Sequence, residues 1–258
     1  MANRRLLLAV AALAALCAAS LAILLFLPPV LQDPDYHNFA DRRTVLGIAN
    51  FWNVVSNAAF LAAAASGIRA LRSRSAFTER WERHAFSVLL AGTVMVAFGS
   101  AYYHLRPDSA TLFWDRLPMT LVFMSLFAAT IGERIGLRIG RRCLLPLLAL
   151  GVTSVAYWKI TGDLRLYGIV QFYPMIAIPL LLILLPPRYS GSAGLFATIA
   201  LYGIAKLLEL FDRQLAAIAP TGGHPWKHLA AAAALLCYVM TVARRRPLEQ
   251  ALSLEPRP

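Results

Sequence analysis

Leu166 to Pro186 reads LYGIVQFYPMIAIPLLLILLP, a stretch without one charged side chain. The hydrocarbon core of a bilayer is about 30 Å thick, and an α-helix needs about 20 apolar residues to cross it. This stretch therefore reads as a membrane-spanning helix, and seven others of similar character flank it. The eight segments are roughly 6–29, 47–68, 85–104, 111–132, 143–158, 166–186, 192–211 and 226–243. Composition agrees: of 258 residues 59% are apolar and only 15% charged, with a mean hydropathy of +0.61. A soluble domain carries about a quarter charged residues, so a water-soluble enzyme is disfavoured. The expected fold is all-α, a polytopic transmembrane helix bundle with a seven-helix core plus one extra N-terminal helix.

A formal charge of +12 and a pI near 10.3 can mark a nucleic-acid-binding protein. Here the basic residues sit in short tracts between apolar runs, where they encode orientation in a bilayer instead. With a cytoplasmic amino terminus, that side receives Arg4 and Arg5, then Arg69, Arg72, Arg74, Arg80 and Arg83. It also receives Arg134, Arg138, Arg141 and Arg142, then Arg188, Arg244, Arg245, Arg246 and Arg257. The other side receives only Arg42, Arg43, Arg106, Lys159, Arg165, Arg213 and Lys227. Sixteen against seven places both termini in the cytoplasm and residues 30–46 outside. The run Arg69 to Arg83 is an orientation signal and an anionic-lipid contact. The partners expected are the bilayer and a membrane lipid, with no nucleic acid; oligomeric state is not legible.

The first segment has two readings. Asn3-Arg4-Arg5 followed by an apolar run and the small residues of Leu16-Cys17-Ala18-Ala19 fits a signal peptide. The run continues through Leu21 to Phe26, long for such a peptide, which favours an uncleaved anchor. The resulting division is 1–30 membrane anchor or signal sequence, 31–46 outer segment, 47–245 seven-helix domain and 246–258 cytoplasmic tail. Cys17, Cys143 and Cys237 have no CxxC spacing and read as small apolar fillers.

Ionisable side chains within a span are costly and mark candidate functional sites. His104 ends the third segment, Asp115 lies near the start of the fourth, and His224 and His228 open the eighth. By the topology above all of them lie at the outer leaflet. The i, i+4 spacing of His224 and His228 suits two ligands of one metal, and equally suits interfacial histidines in contact with water or headgroups. Pro225 fits a first helical turn. Ser100 stands one turn before His104, a place for a helix-packing hydroxyl or a site residue. Asp115 needs a partner, and Arg116 offers an ion pair as the plain structural reading. Three histidines, a serine and an aspartate at one depth outline a three-His zinc site with an open fourth position. Zinc in such a site polarises a carbonyl and lowers the pKa of water, while a carboxylate relays the proton: a recipe for hydrolysis.

Three blocks carry a family resemblance: Asn50-Phe51-Trp52-Asn53-Val54-Val55-Ser56-Asn57; Ser100 to His104 followed by Asp115-Arg116-Leu117-Pro118-Met119; and His224 to His228. In order and spacing, over about residues 35–245, they resemble the alkaline ceramidases, seven-helix intramembrane hydrolases of a superfamily that includes the adiponectin and progestin receptors. The resemblance implies zinc ligands at His104, His224 and His228. It implies a zinc-water or oxyanion role for Ser100, and a general base and proton shuttle in Asp115. The implied reaction is hydrolysis of a ceramide amide to a long-chain base and a fatty acid. Alternatives are another lipid amide or ester at the same zinc site, or a non-catalytic receptor- or transport-like protein. Dense Arg and Ala usage and the absence of an organelle-retrieval tail point to a bacterial inner membrane, with the site toward the periplasmic leaflet.

Calcium-regulated members of that family carry a glutamate directly before Phe-Trp-Asn and acidic residues upstream. Here Asn50 takes that position, and Asp33 to Asp41 matches the acidic spacing poorly, with Asp41 alone where one oxygen ligand is expected. Ca2+ is therefore a weaker expectation than Zn2+. His37 reads as a solvated loop histidine, and His84 lies too far from the outer leaflet to contribute. Lys206 and Glu209, at i, i+3, read as an ion pair facing the bundle interior or a lipid-headgroup contact, with Asp212 one turn on.

Overall fold

A computed structural model describes residues 2–73 and 76–248; Arg74, Arg257 and the tail beyond Leu248 lie outside the described residues. The helices are α1 (Ala2–Phe26), α2 (Phe51–Val55), α3 (Ala58–Arg72), α4 (Arg80–Leu105) and α5 (Ser109–Arg134). They continue with α6 (Leu137–Thr161), α7 (Arg165–Leu184), α8 (Ser192–Leu210), α9 (Asp212–Leu215) and α10 (His224–Arg244). Eight helices among the described residues are long and apolar enough to cross a membrane, α2 and α3 acting as one span over Phe51–Arg72. The chain is an all-α polytopic bundle. Long apolar side chains such as Leu145 (74% exposed) and Ile160 (84%) point outward, an arrangement that is costly in water and natural in lipid.

Most helices begin earlier than their apolar stretches, because hydropathy sees only the lipid-embedded part. α4 starts at Arg80 under a capping box in which Glu79 and Glu82 each accept from the other's backbone. α5 starts at Ser109 because the Asp108 carboxylate accepts from Ala110 N and Thr111 N at 2.8 and 2.7 Å. The second span begins only at Phe51, since Leu46, Gly47 and Asn50 adopt positive φ and turn the chain beforehand.

Contacts sort the helix ends into two groups. At one end a buried network joins α4, α5 and the segments after α7 and α10. Glu82 accepts from Tyr189 Oη at 2.7 and 2.8 Å and from Thr78 N at 2.9 Å. Arg245 reaches Glu82 at 3.3 Å and Glu133 at 3.6 Å, and its guanidinium lies 3.9 Å over the Tyr189 ring. Arg134 pairs with Glu133 at 3.2 Å. Two acids and two arginines thus neutralise each other out of water, the condition under which buried charge is tolerated. Burial pushes the Tyr189 phenol up to about 12, so it stays protonated and donates to Glu82. Arg134 and Arg245, read in the sequence only as orientation charges, also serve as staples.

Toward the other end, and along its length, α1 is docked on α7. Tyr173 Oη donates to Leu13 O at 3.1 Å, Arg165 donates to Leu24 O at 3.1 Å, and Leu164 N donates to Val30 O at 2.8 Å. Arg165 is held by Asp163 at 2.7 Å, and this pairing keeps the Asp163 carboxyl low, at about 2. A carboxyl lowered on folding stabilises the fold above the ordinary carboxylate range, and that contribution is lost as pH falls through about 2. Asp163→Asn is expected to lower the thermal midpoint by about 2–4 °C at pH 7. The gap should close toward pH 2, as read by thermal unfolding in detergent at both pH values; an equal gap at both would contradict the assignment.

Candidate metal centre

His224 and His228 owe their position to an acid on a neighbouring helix. Gly223, which precedes α10, supplies no side-chain cap. Asp212 takes that role: Oδ1 accepts from His224 N at 2.8 Å and the main-chain oxygen from Gly223 N at 3.2 Å. Its other oxygen accepts from Ala40 N at 2.9 Å, tying down the outer segment. Gly222 makes the approach possible: its φ is +65°, and a Cβ there would lie 2.5 Å from Asp212 Oδ1. Pro225 occupies the first turn as its fixed φ allows.

One turn apart, the His224 and His228 rings stand 5.0 Å centroid to centroid, and His104, from the end of α4, lies 4.8 and 4.9 Å from them. Each histidine offers a ring nitrogen, and these atoms all lie within 4.8 Å of one another. Exposures are 0% for His104, 4% for His224 and 2% for His228. His228 Nδ1 is engaged by Ser56 Oγ at 2.8 Å, which fixes the ring, and Asn50 Nδ2 donates to His104 O at 2.8 Å. Both ring nitrogens of His104, and Nε2 of His224 and His228, have no hydrogen-bond partner although buried. Buried polar atoms are almost always paired, and an unpaired one costs about 1–3 kcal/mol. Orphaned imidazole nitrogens from three converging rings could hold a metal ion, and three histidines would leave a tetrahedral ion one open position.

Phe39 closes the centre from outside, its ring 4.7 Å from His104 and 4.4 Å from His224. His37 is no ligand, nor is it simply solvated. Nδ1 lies 2.9 Å from Tyr103 Oη and Nε2 3.2 Å from Ser109 Oγ, and burial holds its imidazole below the ordinary histidine value.

Ser100 (2% exposed) and Asp115 (6%) meet where α4 and α5 nearly touch. Gly99 allows it: a Cβ there would sit 2.1 Å from Trp114 O. The Ser100 hydroxyl consequently adjoins the Asp115 carboxyl. The Asp115–Arg116 ion pair is not formed. Successive helical residues face different ways, and among the described residues no carboxylate lies within 4.0 Å of the Arg116 guanidinium. Ser100, Asp115 and His228 line a cavity of about 640 Å³ whose remaining wall is mainly apolar, including Met119, Val122, Ile176 and Leu235. Leu16, Ala19 and Ile23 of α1 complete it.

Residues 43–185 match the sequence profile of a known family, described as Ceramidase. The chain belongs to the ceramidase family. No curated protein and no solved structure matches it. The matched ceramidase stretch carries Ser100, His104 and Asp115 and stops short of His224 and His228. The fold brings that pair to the matched part.

The acidic residues of the outer segment and Asn50 have partners within the protein. Asp41 gives its carboxylate to Arg43 at 2.7 and 3.2 Å, Asp33 Oδ1 accepts from Asp35 N at 2.9 Å, and Asn50 Nδ2 donates to His104 O. Calcium requires six to eight converging oxygens, and among the described residues no metal-holding group of three or more His, Cys, Asp or Glu side chains gathers in this segment. Lys206 and Glu209 do pair, and Lys227 joins them, 2.6 Å from Glu209, a partner that the i, i+3 spacing does not reveal. The supporting roles of Asp212, Ser56 and Gly99 are likewise hidden in the sequence. Asp212 stands there only as an acid one turn beyond Glu209, and no local pattern ties it to His224.

Proposed function

We propose that this ceramidase-family protein is an intramembrane zinc-dependent amidase that hydrolyses ceramide-type lipids to a long-chain base and a fatty acid. The observation that carries the reading is the set of three buried histidines with unpartnered nitrogens beside Ser100 and Asp115, on the wall of a largely apolar cavity. Zinc held by His104, His224 and His228 would polarise the amide carbonyl and acidify water at its open position. Ser56 orients His228 for that task and Asp212 orients the first turn that presents His224. Asp115 takes the proton from the attacking water at a carboxylate oxygen and returns it to the departing amine nitrogen. Ser100 donates to the oxygen on which negative charge develops. Phe39 and the outer segment keep bulk water off the histidines, and the apolar wall receives acyl chains from the bilayer side.

On this reading residues 1–30 are a retained anchor that forms part of the cavity wall, 31–46 an outer cover and 47–245 the hydrolase domain. Arginine placement supports a centre toward the outer leaflet, and dense Arg and Ala usage supports a bacterial inner membrane, where that leaflet is periplasmic. The Asp41–Arg43 pairing supports calcium independence. The test is detergent-purified protein incubated with a mixed lipid extract and mass spectrometry of the products. Equal release of fatty acid and long-chain base is expected, abolished by 1,10-phenanthroline, restored by zinc and indifferent to calcium at buffered zinc. Folded, zinc-replete protein inert toward lipid amides would overturn it.

A further inference from the structure

We infer that Arg116 is the counter-ion for an oxyanion, such as a phosphate, carried on the headgroup side of the lipid amide. This deepens the hydrolase reading above and rests on it for the identity of the amide. Arg116 is 6% exposed and lines the same cavity as Ser100, Asp115 and His228. Its Nη1 has no hydrogen-bond partner, while Nη2 donates to Gln32 Oε1 at 2.7 Å. The guanidinium lies 4.4 Å from the Trp158 ring centroid, 4.9 Å from Tyr167 and 5.4 Å from Tyr36. Aromatic faces hold a cation in place but do not neutralise it.

Neighbouring charges leave the cation uncompensated. Lys206 and Lys227 share the single carboxylate of Glu209, which also accepts from Tyr36 Oη at 3.2 Å. Arg165, also on the cavity wall, is neutralised by Asp163. Among the described residues that leaves Arg116, Lys206 and Lys227 facing only Glu209 and Asp115, before any metal is added. A fixed guanidinium with a free N–H in low dielectric is a receptor for an acceptor bearing negative charge, and its planar fork suits phosphate or carboxylate. Gln32 belongs to the outer segment, so this receptor sits at the headgroup end of the cavity and not among the acyl-chain contacts.

Two sources share the chemistry: an acidic headgroup, which the position of Arg116 favours, and the fatty acid released by hydrolysis. Equilibrium binding of N-dodecanoylethanolamine phosphate, neutral N-dodecanoylethanolamine and dodecanoate to full-length protein separates them. An Asp115→Asn background keeps the probes intact, and mass spectrometry checks that they remain so; binding is read whether or not the protein proves to be an amidase. The phosphate probe is expected to bind about ten- to hundred-fold tighter than the neutral one. Arg116→Gln should reduce that ratio to about two or less, and Arg116→Lys should keep part of it because the charge survives without the fork. If Arg116→Gln does not fold, the ratio in Arg116→Lys decides. A ratio near one with Arg116 present, or one unchanged in both variants, overturns the proposal. So does dependence on Arg116 for dodecanoate alone, which would make the anion the released acid.

Discussion

Asp115→Asn is expected to lower kcat for lipid amide hydrolysis by about 10²–10⁴-fold, the usual contribution of a positioned general acid–base group. The substitution keeps the shape of the side chain and its contact with Ser100, but an amide cannot take a proton from water or return one to the amine. Asp115 is not among the three metal-binding candidates, so zinc content should remain within error of the parent protein. The combination is informative because a passive metal-binding protein has no use for a proton relay. Steady-state rates on a purified lipid amide, with metal analysis of the same preparation, make the check. An Asp115→Asn variant retaining more than about a tenth of the parent activity would remove the relay role.

His224→Ala should reduce bound zinc to near zero and activity with it. Two imidazoles from different helices leave zinc two protein ligands short of its tetrahedral preference. No cysteine is at hand to replace it, because among the described residues the cluster contains only His104, His224 and His228, and Cys237 is engaged with Gly194 O on another part of the bundle. The bond to the Asp212 carboxylate uses the main-chain N–H of residue 224 and survives the substitution, so α10 should still begin at the same place. Circular dichroism should accordingly show unchanged helix content while metal analysis shows loss. Retention of stoichiometric zinc in the alanine variant would mean that the ion is held elsewhere.

The fold could be read from the sequence because each span is long, apolar and bounded by arginines, a signal carried locally by the residues themselves. The site was legible to the extent that its chemistry repeats a local spacing: His224 and His228 are one turn apart, as are Ser100 and His104. What the sequence left hidden depends on approach between distant segments. Asp212 works as a cap for a helix it does not belong to, and Gly99 matters because the backbone of Trp114 lies against it. Arg245 reads as one more orientation charge until Glu82 and Glu133 close around it. Adjacency misled in the other direction for Asp115 and Arg116. They are neighbours in sequence, yet helical geometry turns one toward Ser100 and the other into a cage of Trp158, Tyr167 and Tyr36.

The most direct measurement is zinc K-edge X-ray absorption on protein purified without added chelator, with metal quantified per chain. About one zinc per chain is expected, coordinated by three imidazole nitrogens at about 2.0–2.1 Å and one oxygen ligand. A spectrum dominated by sulfur, by two imidazoles or fewer, or the absence of zinc from folded protein after zinc supplementation, would contradict a three-histidine centre.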